Sequence, residues 1–134
     1  MDNGDLFLPD DKYFIGKKRI TGIYQTGRRR YIRENTEKGD ELTLKREYDN
    51  RYDLFAVAVY NIYGEKIGYI EKRANEDVAF FMDNGYICTA VVTEIDKKSA
   101  TVGIVTDVFC LADDVSMSRL NALFEEYLRS QIDI

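Results

Sequence analysis

Histidine is absent from the 134 residues of this chain. Without imidazole there can be no Ser–His–Asp triad, no Cys–His dyad and no histidine metal ligand. Cysteine is nearly absent as well. Cys88 and Cys110 are too few for a disulfide scaffold, lack CxxC spacing, and have no histidine beside which to build a structural zinc site. Neither GxxxxGK[ST] nor GxGxxG occurs, so no phosphate cradle announces itself. No apolar run approaches the roughly 18–20 residues that cross a bilayer, and no membrane partner is expected. The opening MDNGDLFLPDD places acids where a secretory signal has its basic region, so no targeting segment and a cytoplasmic location are expected. Linkers, repeats and low-complexity tracts are also missing.

What is present is an ordinary globular composition, 45% hydrophobic and 32% charged, at a length suited to one core. Carboxylates are plentiful. No Asp or Glu spacing pairs them for hydrolysis or gathers them round Mg²⁺, so no catalytic residue, metal or cofactor is expected and a binding module is the favoured class. The net charge of −5 conceals an asymmetry: residues 1–11 carry −4, residues 12–51 carry +6 and residues 52–134 carry −7. A basic stretch on an acidic chain marks either a localised anion-binding face or one solvated side of a sheet.

Patterning predicts mostly short strands. Tyr13 to Tyr24 forms the first, and Gly27-Arg28-Arg29-Arg30 a loop or hairpin tip. Glu41 to Glu47 alternates Leu42 and Leu44 with polar neighbours, the mark of a half-buried strand. Asp49 to Asp53 is a turn cluster, Leu54 to Tyr60 a buried strand, and NIYGEK (61–66) a hairpin turn into Ile67–Ile70. A helix follows, capped by Asn75, with Glu76 and Asp77 in its first turn, Val78, Phe81 and Met82 on its core face, and Asn84-Gly85 as its stop. Tyr86 to Ile95 and Ala100 to Phe109 make a second hairpin across Asp96–Ser99. A last helix over about 116–130 places Leu120, Leu123, Phe124, Tyr127 and Leu128 on one face. The expected architecture is mainly β (α+β): a small, closed or partly open six-stranded barrel with two helices. It consists of an acidic segment, 1–11, and a single domain, 12–131.

Three features carry a functional signal. Arg28, Arg29, Arg30 and Arg33 crowd six residues and need either a bound anion or internal compensation by Glu34 and Glu37. Tyr24, Tyr31, Tyr48, Tyr52 and Tyr69 lie in or beside the basic half. There they could stack on splayed bases while Arg and Lys hold phosphates, or serve as core-edge residues with wet hydroxyls. No helix is basic enough for a major groove, which favours a single strand over a duplex. The third feature is Lys45-Arg46-Glu47-Tyr48-Asp49-Asn50-Arg51-Tyr52-Asp53, leading into Leu54-Phe55-Ala56-Val57-Ala58-Val59.

A strand ending in R-E, then x-x-N-x-Y-D, an Ala-rich aliphatic strand and a hairpin to Gly68-Tyr69-Ile70 resembles the HIRAN domain. Thr21-Gly22-Ile23 and Ala79-Phe80-Phe81-Met82-Asp83-Asn84-Gly85 resemble further pieces of that family, in the same order, across about residues 13–108. The family occurs at the N-termini of DNA translocases and as small stand-alone bacterial proteins. The resemblance implies an OB-like six-stranded barrel that grips the 3′-hydroxyl end of single-stranded DNA, in the service of DNA repair. It implies that Asn50, Tyr52 and Asp53 line the end pocket, Asp53 accepting a hydrogen bond from the terminal 3′-OH and Tyr52 packing on the terminal sugar or base. Tyr24 falls where the family has an aromatic after its first strand, and Tyr69 where some members have histidine. Arg51 replaces a common proline, and Phe55 a usual small polar residue.

The expected function is therefore non-catalytic binding of single-stranded DNA at a free 3′ end, with a helicase or nuclease as partner protein. The expected binding residues are Tyr24, Arg28, Arg29, Arg30, Arg33, Asn50, Tyr52, Asp53 and Tyr69. The competing expectation is a protein-interaction module on the same barrel that has lost DNA binding. In that reading the acidic second half and the last helix dock a partner.

Overall fold

Alternation of apolar and polar residues decides the architecture. In Glu41–Arg46 (β2), Leu42 and Leu44 are buried while their neighbours face solvent; in Gly103–Leu111 (β6), Ile104, Thr106, Val108 and Cys110 turn inward. The computed structural model describes residues 11–23, 27–98 and 102–132. The other strands are Lys12–Thr21 (β1), Val57–Tyr60 (β3), Lys66–Ile70 (β4) and Cys88–Asp96 (β5). All pairings are antiparallel, and the sheet closes in the order β1-β4-β3-β2-β5-β6, with β6 returning to β1. The six-stranded barrel expected from the sequence is present. Closure leaves no free sheet edge among the described residues, and the inward residues, among them Val57, Val59, Ile67, Ile70, Val92 and Ile104, fill the interior.

The helices depart from expectation. The described residues form three α-helices rather than two: Arg29–Glu34 (α1), Glu76–Asp83 (α2) and Asp114–Ile132 (α3), with a 3₁₀ turn at Lys72–Ala74. The basic run expected as a loop or hairpin tip is therefore largely helical. Arginine is a good helix former, and the deciding residue is Ile32, fully buried in the core, which anchors a turn otherwise too short to persist alone. Asn75 does not cap α2 with its side chain. The helix grows directly out of the 3₁₀ turn, and the Asn75 amide is used elsewhere. Along α3, Met117 and Leu120 are buried, and the rings of Phe124 and Tyr127 pack 5.1 and 5.5 Å from Phe80 of α2. Leu123 and Leu128, placed on that face by the sequence pattern, are exposed, because the aromatic pair already occupies the contact with α2.

The β3–β4 hairpin turns as read. Asn61 Oδ1 accepts from the backbone N–H of Tyr63 and Glu65, and Gly64 takes a φ of 81°. Ser99 and Ala100, in the expected second hairpin, and most of the acidic segment 1–11 lie outside the described residues. Among the described residues, no helix is long and apolar enough to cross a membrane and no three Cys, Asp or Glu converge on a metal site.

Candidate nucleic-acid interface

The run from Glu47 to Ala56 is an irregular loop, and its polar side chains hold its shape. Asn50 Oδ1 accepts from the N–H of Tyr52 at 2.9 Å and of Asp53 at 3.1 Å, closing the turn that its residue type favours. Asp53 Oδ1 accepts from Phe55 N–H at 2.9 Å, and Oδ2 from the buried Asn75 amide at 2.7 Å, tying the loop to the start of α2. Lys72 adds a third tie, its ammonium donating to the Tyr52 carbonyl at 2.8 Å.

Arg46 clamps the loop from behind. Its side chain is 6% exposed; Nε and Nη2 donate to the two Asp83 carboxylate oxygens, Nη1 to the Ala56 carbonyl at 2.8 Å and Nη2 to the Leu54 carbonyl at 3.2 Å. Tyr48 lies under the same guanidinium and donates its hydroxyl to Asp83, a bond that holds the phenol's pKa above its ordinary value. Local sequence assigns neither Arg46 nor Asp83 a role, because 37 residues separate the partners.

Between this loop and the β1–β4 junction lies a cleft of about 660 Å³, lined by Thr21, Gly22, Asn50, Tyr52, Asp53, Ala56, Tyr69, Ile70 and Lys72. Four expected site residues, Asn50, Tyr52, Asp53 and Tyr69, thus meet in one cavity. Tyr52 is 82% exposed. Gly22 follows β1 with a φ of 77°, a left-handed conformation that glycine adopts without strain. Tyr69 stands opposite Thr21 across the two-pair β1–β4 ladder, brought there by Gly68. A Cβ at Gly68 would lie 2.5 Å from the Thr21 carbonyl oxygen, so only glycine permits this approach.

The Tyr69 hydroxyl is committed to a polar triad. It accepts from Lys66 and donates to Glu47 Oε1 at 2.9 Å, while Lys66 also pairs with Glu47. Burial pushes the Glu47 carboxyl up, but hydrogen bonds from Lys66, Tyr69 and Asn50 outweigh it and hold the group below its ordinary value. Burial likewise lowers Lys66, and its bonds to Glu47 and Tyr69 more than restore it, leaving the ammonium above its usual value.

The arginines stand apart from the cleft. None of Arg28, Arg29, Arg30 and Arg33 lines it. Arg28 pairs with Glu65 at 3.2 Å and stacks 4.2 Å over Tyr31; Arg30 pairs with Glu34 at 2.9 Å one helical turn on. Much of the charge expected to attract an anion is thus compensated within the protein, in part by Glu34 as the sequence allowed. Tyr31 accepts from Asn61, so its hydroxyl serves the hairpin rather than the cleft. Tyr24 lies outside the described residues. Thr21, Gly22, Ala56, Ile70 and Lys72 also line the cleft and were not among the expected site residues. Lys72 had one signal, a cation just beyond Gly68-Tyr69-Ile70, but nothing local says that it turns back onto the 47–56 loop.

Comparison with known proteins places this geometry among relatives. The chain is 29% identical over 85 residues to helicase-like transcription factor from rabbit (Oryctolagus cuniculus) and from mouse (Mus musculus). The match covers 60% of this chain but only 8% of those proteins. A crystal structure of a protein from Lactobacillus plantarum superposes with a TM-score of 0.69 at 22% identity, over 74% of this chain and 94% of that one. The crystal structure of the HIRAN domain of human HLTF gives 0.63 at 17% identity, covering 89% of this chain and 94% of that one. The NMR structure of the HLTF HIRAN domain in its DNA-bound conformation gives 0.55 at 19%, covering 87% and 91%. At these identities the likeness to the solved structures is one of fold. The HIRAN domain model itself matches residues 20–108, from the end of β1 to within β6 and across the whole 47–56 loop, and the chain belongs to the HIRAN family.

Proposed function

We propose that this chain binds single-stranded DNA through the Asn50–Asp53 cleft, selecting a free 3′-hydroxyl end, and that it acts by binding rather than by catalysis. The observation that carries the reading is the meeting of Tyr52, Asp53, Tyr69 and Lys72 in one cavity of about 660 Å³. Each Asp53 oxygen takes one internal hydrogen bond and keeps lone-pair capacity for a ligand hydroxyl. A terminal phosphate at the same place would meet a carboxylate and be repelled. The exposed Tyr52 ring offers a stacking face to a base or sugar, and the Lys72 ammonium neutralises a phosphodiester. The solved DNA-bound conformation of the HLTF HIRAN domain supports nucleic acid as the ligand class. The α1 arginines add longer-range attraction, reduced by Glu34 and Glu65. With few cations at the cleft, log K falls with log[salt] by only about 0.7 per phosphate contact, so affinity is modest and weakly salt-dependent. In this reading the domain supplies end recognition to a helicase or nuclease.

The test is fluorescence anisotropy with a short strand ending in 3′-hydroxyl or 3′-phosphate, on the wild type and Asp53→Asn. Asparagine removes the charge and keeps one acceptor, enough for Phe55 N–H but not for the Asn75 amide as well, whereas alanine would lose both acceptors. The hydroxyl end should bind at least about tenfold tighter, as a hydrogen bond to a charged group allows, and the variant should lose most of that preference. Equal binding of both ends refutes end selection. No binding at low salt refutes the whole reading and leaves the barrel a protein-docking module.

A further inference from the structure

Cys88 and Cys110 are the two cysteines of the chain, and the barrel sets them directly opposite each other. Cys88 opens β5, and Cys110 lies one residue before the end of β6. Both are free thiols within the core, Cys88 3% exposed and Cys110 fully buried. Cysteine often fills a core as a small apolar residue. Two such fillers would have no reason to face one another, whereas these are cross-strand partners in one hairpin.

Their register decides what the pair can do. The N–H of Leu111 donates to the Ile87 carbonyl at 2.8 Å. In an antiparallel ladder that bond makes Ile87 and Leu111 a hydrogen-bonded pair, so the next rung, Cys88 and Cys110, is a non-hydrogen-bonded one. At such rungs the Cα atoms approach to about 4.5 Å and the side chains stand closest. Disulfides span Cα separations of roughly 4.4–6.8 Å, so this rung can be bridged with the strands where they are. The two thiols already affect each other. Interaction with Cys110, then burial, hold the Cys88 thiol above its ordinary value, and the Asp77 carboxylate of α2 adds to the effect. Cys88 is thus kept protonated beside its partner.

We propose that Cys88 and Cys110 form a modification site, which a small oxidant of the hydroperoxide class closes into an intramolecular disulfide stapling β5 to β6. One thiol loses its proton and attacks a peroxide oxygen; the O–O bond breaks, leaving a sulfenic acid and one water. The second thiol attacks that sulfur, the S–O bond breaks, and a second water leaves. Two electrons pass from the sulfurs to the peroxide, and both thiol protons end in the waters. The partner makes the chemistry reversible, because a sulfenic acid with a thiol at hand becomes a disulfide instead of going on to sulfinic acid. The staple sits at the open end of the hairpin, far from the Asp96–Gly103 rung, where Cys110 also pairs with Tyr13 of β1. No residue of β5 or β6 lines the cleft, so this site stands apart from the binding reading above.

The test treats the full chain, reduced beforehand, with hydrogen peroxide and counts N-ethylmaleimide adducts by mass after denaturation. The untreated chain should take two adducts. The treated chain should take none while remaining a monomer, and two again after dithiothreitol. Its Tm should rise by roughly 7–14 °C on oxidation, the shift that a disulfide supplies at this chain length, and fall back on reduction. Cys88→Ala and Cys110→Ala should show no such rise. Two adducts after treatment, a disulfide-linked dimer, adducts that dithiothreitol fails to restore, or an unchanged Tm would each overturn the proposal.

Discussion

Replacing Arg46 by alanine is the most direct test of how the cleft is built. The guanidinium is almost fully enclosed and serves four acceptors: both Asp83 oxygens and the carbonyls of Ala56 and Leu54. In Arg46→Ala the two carbonyls lose their donor at about 1 kcal/mol each, and the fork to Asp83 goes with them. Asp83 retains solvent contact, so its charge is rehydrated rather than stranded, and the full 3–5 kcal/mol cost of breaking a buried pair does not apply. The loss sums to roughly 2–4 kcal/mol. Unfolding entropy near 2.1 cal/mol/K per residue gives about 0.28 kcal/mol/K at this length, so Tm should fall by roughly 7–14 °C. Thermal unfolding followed by circular dichroism measures the fall, and hydrogen exchange should show faster opening across residues 47–56. Arg46→Lys should recover little, since an ammonium cannot span the fork. A melting temperature within about 2 °C of wild type for Arg46→Ala would refute the clamp.

Other consequences follow from the groups around the cleft. Glu47 has its folded pKa below the ordinary 4.5, so the Glu47–Lys66–Tyr69 triad contributes its stability above that pH and loses it as pH falls through the lower folded value. The Tm of the wild type should therefore drop more steeply on acidification below about pH 4.5 than that of Glu47→Gln, and parallel curves would show the triad to be inert. Gly68→Ala would set a methyl 2.5 Å from the Thr21 carbonyl oxygen and 3.0 Å from Ile20 Cγ2. Forcing β1 and β4 apart should cost about 1–3 kcal/mol and weaken strand binding as well, because Thr21 and Tyr69 form that wall of the cleft. An unchanged Tm would mean that the junction yields freely.

Strand composition and turn chemistry were legible in the chain itself, because both act over a few residues. The alternation in β2, the β-branched run of β3, the Asn61–Gly64 hairpin and the Asn84-Gly85 helix stop each depend on local sterics and local hydrogen bonds. So does the Asn50–Asp53 turn, in which the two side chains bond their own backbone within three residues. Charge was misleading for the opposite reason. The run from Arg28 to Arg33 looked like an anion site, yet its compensation comes from Glu34 one turn away and Glu65 on a hairpin 37 residues on. Its helical form was decided by burial of Ile32 rather than by the arginines. On α3, helical periodicity could mark a stripe but not its edges. Phe80 and Phe81 chose Phe124 and Tyr127 over Leu123 and Leu128, a matter of which rings α2 presents. The sequence by itself determined the strands, the turns and the residues at the tip of the loop. Barrel closure alone brought Thr21, Tyr69 and Lys72 against that tip and set Arg46 behind it, since contacts across 20 to 50 residues depend on the packing of the whole core.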